Sequence, residues 1–143
     1  MKLKSSILLF SLCCVLFLFS AETMSQEKET SGLSAEKPLL VRAVTCEGIK
    51  SHDPWNTAAV FSISTGNAFC FTSFDPVPQK TFIYHKWFHR DKLNAKIKLS
   101  LSPPRWATFS RIHLRESDKG PWRVEITDPD GNISDVLRFS ITD

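Results

Sequence analysis

The sequence predicts an antiparallel β-sandwich, and three observations carry that expectation. From Leu39 onward the chain breaks into short runs rich in Val, Ile, Phe, Thr and Trp. Pro, Gly, Asn and Asp separate those runs at close spacing, and no stretch shows an apolar stripe of helical period over three turns. With 143 residues, 42% of them hydrophobic and 23% charged, there is room for one domain with its own core. That composition fits neither a disordered chain nor a fibre.

Residues 1–25 read as an address. Lys2 and Lys4 precede the apolar run Ile7 to Phe19, and the small residues Ser20, Ala21, Thr23 and Ser25 follow it. The run is shorter than the roughly 18 residues that cross a bilayer as a helix, so a signal peptide is expected and a stable transmembrane span is not. Cys13 and Cys14 leave with it. Residues 26–38, QEKETSGLSAEKP, are polar and without hydrophobic period, as in an exposed linker. Residues 39–143 form the expected sandwich.

Leu39 to Cys46 is the first candidate strand and Thr57 to Ser64 the second, with Ala59, Phe61 and Ile63 on one face. Thr65, Gly66 and Asn67 then read as a tight hairpin turn into Ala68 to Phe74. Asp75 to Gln79 is a loop, because its two prolines donate nothing to a ladder. Lys80 to Phe88 alternates, with Phe82, Tyr84, Lys86 and Phe88 on one face and Thr81, Ile83, His85 and Trp87 on the other. His89 to Lys92 turns the chain. Leu93 to Leu101 puts Ala95, Ile97, Leu99 and Leu101 inward and Lys96, Lys98 and Ser100 outward, and Pro103 and Pro104 end it. Arg105 to Leu114 follows, then a polar turn from Arg115 to Gly120. In the last pair, Trp122, Val124 and Ile126 share a face, as do Leu137, Phe139 and Ile141, across the turn Asp128 to Asn132. About eight such strands suit an immunoglobulin-like sandwich.

Once the signal is removed, Cys46 and Cys70 are the remaining thiols, in a compartment where disulfides persist. A bridge between them is expected, worth about 3 kcal/mol in the chain-entropy model; two separately buried thiols are the alternative.

Between Lys80 and Arg115 stand nine basic residues and one acid, Asp91. Interleaved with Tyr84, His85, Trp87, His89 and Trp106, they describe either outward lysines that guard a sheet edge or a surface for an anionic polymer. The candidate binding residues are Tyr84, His85, Lys86, Trp87, Arg105 and Trp106. Trp122 shares its face with Val124 and Ile126 and belongs to the core. His85 and His89 share a strand face but lack a third ligand, so no metal site is assigned. Asp128, Asp130 and Asn132 resemble the start of a calcium loop without its later acid, and turn geometry explains them. No nucleophile elbow, zinc signature or phosphate loop is present; no catalytic residue and no cofactor is assigned, and the protein is not expected to be an enzyme.

The segments CEGIK (46–50), FSISTGNAFCFT (61–72), YHKWFHRDK (84–92), SPPRWATFSRI (102–112) and GPWRVEITDPDGN (120–132) resemble the bacterial domain of unknown function 2914. The resemblance implies a small all-β module without established activity, in which positions matching Cys46 and Cys70 belong to the pattern. The chain departs from it at Phe109, where a second tryptophan is expected, and at Phe88 to Asp91, which replace an aromatic-glycine turn.

The expected function is an exported, non-enzymatic binding module of the bacterial envelope or periplasm, or a secreted one, contacting a glycan or another anionic envelope component. A structural or protein-interaction domain is the alternative, and a hydrolase the third reading. Nucleic acid is not an expected partner of an exported chain.

Overall fold

A computed structural model describes residues 36–143. The signal peptide expected over residues 1–25 and most of the linker lie outside the described residues. Nine strands follow in order: β1 (Leu40–Lys50), β2 (Asp53–Thr57), β3 (Val60–Ser62), β4 (Asn67–Phe74), β5 (Thr81–His89), β6 (Lys92–Leu101), β7 (Trp106–His113), β8 (Gly120–Thr127) and β9 (Ile133–Thr142). They form a four-stranded sheet in the order β2-β1-β4-β7 and a five-stranded sheet in the order β3-β9-β8-β5-β6. Read as lettered immunoglobulin strands, β1-β4-β7 is A-B-E and β9-β8-β5-β6 is G-F-C-C′, so the fold is an immunoglobulin-like β-sandwich. Among the described residues no helix is long and apolar enough to cross a membrane.

The alternation read from the sequence sets which faces meet. In β8, Trp122, Val124 and Ile126 are buried between Arg123 and Glu125; in β9, Phe139 and Ile141 turn in. Phe139 is a hub of the core, with Phe61 edge-on at 5.5 Å, Trp87 edge-on at 5.9 Å and Trp122 stacked at 6.1 Å. A second cluster gathers Phe74, Val77, Ile83, Leu101 and Ile126.

Three expectations need correction. The stretch Thr57 to Ser64 is not one strand: β2 closes a hairpin on β1, whereas β3 crosses to the other sheet and runs parallel to β9 through Val60↔Ser140, Phe61↔Ile141 and Ser62↔Thr142. The sandwich is therefore mixed. The turn at Gly66 is real, with φ at +78°, yet it joins strands of different sheets rather than a hairpin, because β4 pairs with β1 and β7.

The third correction concerns sulfur. Cys46 and Cys70 are both free and buried. They lie on neighbouring strands one residue out of register, Thr45 opposite Cys70 and Cys46 opposite Phe69. Successive side chains leave a strand on opposite faces, so the two thiols are on opposite sides of the sheet and their Cβ vectors diverge. Cys70 joins Trp87 and Val124 in the inter-sheet core. Burial pushes both thiols up from their ordinary pKa.

Candidate functional site

The six residues expected to bind fall in three places. On β5, His85 and Trp87 face inward and are fully buried, whereas Tyr84 and Lys86 face out. Trp106 opens β7, in the other sheet, and Arg105 immediately precedes it. No single site unites them.

The inward pair serves the core. Ser110 Oγ lies 2.8 Å from His85 Nδ1 and accepts a hydrogen bond of 3.0 Å from Trp87 Nε1; His85 Nε2 lies 3.2 Å from Thr72 Oγ1. One assignment satisfies all of them: the Ser110 hydroxyl donates to Nδ1, and Nε2–H donates to Thr72. Desolvation lowers the His85 pKa from 6.5 to about 4, so the ring is neutral. Ser110 and His85 have nucleophile-and-base spacing, but both are buried between the sheets. His89, the other histidine of the strand, stacks on Trp122 at 4.6 Å, and its Nε2 lies 3.1 Å from the Lys119 carbonyl. Among the described residues no group of three or more His, Cys, Asp or Glu is placed to hold a metal. At the β8–β9 turn, Asp128 accepts from the Asn132 amide at 2.9 Å and side chain at 2.8 Å, and pairs with Lys37 at 3.0 Å. Those contacts hold its carboxyl well below the usual range, the Asn132 side chain first.

The outward face of the five-stranded sheet is different. Phe82, Tyr84, Lys86 and Phe88 run along β5, with Lys96 and Lys98 on edge strand β6 and Arg123 on β8. Each ring carries a cation over its face: Lys98 Nζ at 3.9 Å from the Phe82 centroid, Lys96 Nζ at 4.1 Å from Tyr84, and Arg123 Cζ at 4.0 Å from Phe88. Phe82 and Tyr84 meet edge to face at 5.5 Å. Diagonal neighbours across an antiparallel pair are within reach of long side chains, which is how alternate lysines on β6 cap alternate rings on β5. Glu125 is the acid among them, and it is tied to Arg123 Nε at 3.0 Å. The result is a basic, aromatic ribbon.

Tyr84 and Lys86 were legible as part of this surface. Lys96 and Lys98 are legible as outward lysines of a sheet edge, and β6 is an edge strand; Phe82, Phe88 and Arg123 are not among the expected binding residues, although the period-two pattern shows their face. Trp106 is 42% exposed beside Arg105, in a concavity of about 430 Å³ also lined by Val41, His52 and Asp75. The same sheet exposes further rings: Trp55 lies under Lys50 Nζ at 3.5 Å, and Phe109, 45% exposed, packs against Phe69 at 5.9 Å.

Residues 80–141 match the family model described as "Protein of unknown function (DUF2914)", the family that the sequence motifs resemble. The matched stretch contains β5 to β8, nearly all of β9, and every residue of the ribbon. No curated protein matches the chain.

Proposed function

We propose, from the premise that this chain carries a domain of that uncharacterised family, that it is an exported, non-enzymatic binding module that holds an anionic glycan of the envelope or periplasm on the outer face of its five-stranded sheet. The observation that carries this reading is the ribbon itself: three outward rings in sequence, each with a cation within 4.1 Å. The ammonium and guanidinium groups that cap the rings meet carboxylate, sulfate or phosphate substituents, and a lysine drawn off its ring onto such a substituent frees that ring face for the apolar side of a sugar. A row of three rings along one strand suits an extended polymer better than a small molecule. The non-enzymatic part of the reading draws support from the buried Ser110–His85 pair. Export rests on the leader-like residues 1–25.

The test is calorimetry of the protein with an acidic and a neutral polysaccharide at two salt concentrations. The acidic polymer is expected to bind, more weakly as salt rises. Tyr84→Ala with Phe82→Ala is expected to weaken it about tenfold or more. Absence of binding by the unaltered protein, or indifference to the ring substitutions, overturns the reading. A second reading, docking of a partner protein, is favoured by the exposed Trp55, Trp106 and Phe109 of the four-stranded sheet. Its signature is a complex broken by Phe109→Ala and untouched by Tyr84→Ala.

A further inference from the structure

At the Phe88 end of the ribbon a small concavity of about 140 Å³ is lined by three arginines, Arg90, Arg123 and Arg138, together with Phe88, Asp91, Pro121 and Trp122. Each arginine reaches it by a different route. Arg90 and Asp91 form the two-residue connection from β5 to β6, both with positive φ, +47° and +63°, as the mirror-type hairpin turns require. The Arg90 amide donates to the Pro121 carbonyl at 3.1 Å, and its Nη2 donates to the Lys119 carbonyl at 3.1 Å. The guanidinium then lies where a side chain at position 120 would be: a Cβ on Gly120, whose φ is +116°, would sit 3.0 to 3.3 Å from it. Glycine at that place leaves the arginine its berth.

Arg123 is fixed more tightly. Its side chain is 18% exposed, Nη1 bonds Asp91, Nε bonds Glu125, and its plane covers Phe88. Arg138, on β9, stands directly opposite Arg123 in the antiparallel ladder. Like charges in that position cost stability. Arg138 is exposed and makes no ion pair among the described residues. The two nearby carboxylates, Asp91 and Glu125, are both spent on Arg123. Arg90 and Arg138 therefore keep N–H groups with no acid to meet, in a planar fork that matches an oxyanion.

We infer that this notch is an oxyanion site that anchors a carboxylate, sulfate or phosphate substituent of the polymer lying on the ribbon. The anion bridges Arg138 and Arg90 and relieves the repulsion between Arg138 and Arg123. The polymeric ligand rests on the function proposed above; the anion site itself does not. Phe88 belongs to both, so a chain stacked along Phe82 and Tyr84 delivers its charged substituent to the arginines without bending.

The experiment titrates the protein with inorganic phosphate and inorganic sulfate, following arginine side-chain NMR signals and the unfolding temperature, and then with uronate, sulfated, phosphorylated and neutral oligosaccharides. Saturable shifts at Arg90, Arg123 and Arg138 are expected, with an unfolding temperature that rises more with anion concentration than that of Arg138→Gln, the variant carrying the general effect of these salts alone. Arg138→Gln is expected to weaken anion binding about tenfold while leaving the anion-free protein as stable as before or more so, because it removes a like-charge pair. A loss of binding explained by misfolding would lower that stability instead. The charged oligosaccharide that loses most affinity on Arg138→Gln identifies the natural substituent. If phosphate and sulfate leave the arginine signals unmoved, or Arg138→Gln binds them as the unaltered protein does, the notch is not an anion site. Tyr84→Ala separates the two proposals, since it is expected to weaken polymer binding and spare inorganic phosphate. Polymer binding indifferent to Arg138→Gln defeats the anchoring of the polymer at the notch alone, and anion binding without polymer binding defeats the ribbon alone.

Discussion

A histidine enclosed between two sheets titrates far from its ordinary pH, and His85 makes that measurable. Its pKa is lowered by desolvation to about 4 in the fold and is 6.5 by reference in the unfolded chain. As pH falls below 6.5 the unfolded chain takes up the proton first, so stability is full above that pH, declines between 6.5 and 4, and levels off below. The gap corresponds to about 3 kcal/mol. Urea unfolding of the protein and of His85→Gln across that range checks it: the variant is expected to start lower and lose less, and parallel curves would remove the buried neutral ring. Ser110→Ala is expected to cost about 2 kcal/mol or more at neutral pH, since it strands both His85 Nδ1 and Trp87 Nε1. The sequence showed these residues only in part. Lys80 to Phe88 has apolar side chains on both faces, so period two sorts His85 and Trp87 from Tyr84 and Lys86 without saying which pair is inside. That is decided by Thr72 and Ser110, from strands distant in the chain.

Strands with one greasy and one charged face are readable in the sequence: β6 and β8 begin within two residues of their alternating runs, whereas β9, whose run starts at Leu137, begins four residues earlier at Ile133. Partnership was not readable. Gly66 announces a reversal, but a turn is local and carries no information on whether the next strand returns to the same sheet. Cys46 and Cys70 illustrate the same limit, because a shift of one residue in pairing decides whether two thiols face each other. The three-residue β3 has the least pairing of any strand and depends on one fully buried side chain, Phe61. Phe61→Ala is expected to cost about 3–5 kcal/mol. Hydrogen exchange at the Ser140 amide, which bonds the Ala59 carbonyl at 2.9 Å, is expected to accelerate more than at amides shared by β8 and β5. Uniform acceleration would mean that β3 is no separate unit.

Across the whole molecule the basic stretch from Lys80 to Arg115 does not become one patch. Lys86, Lys96 and Lys98 face outward from one sheet, Arg105 and Arg111 belong to the other, and Arg90 closes the notch. Sequence thus carried the sign of the charge, and topology apportioned it. Topology also joins distant stretches of chain, for β3 and β9 run side by side in the same direction. Tension applied to the segments before β3 and after β9 pulls these neighbours past each other lengthwise, so their hydrogen bonds share the load and give way together. An antiparallel pair pulled from one end unzips bond by bond. Drawn between two anchors, the domain is therefore expected to behave as a mechanical clasp, rupturing in a single abrupt event in an optical trap, with the Phe61→Ala variant yielding at lower force.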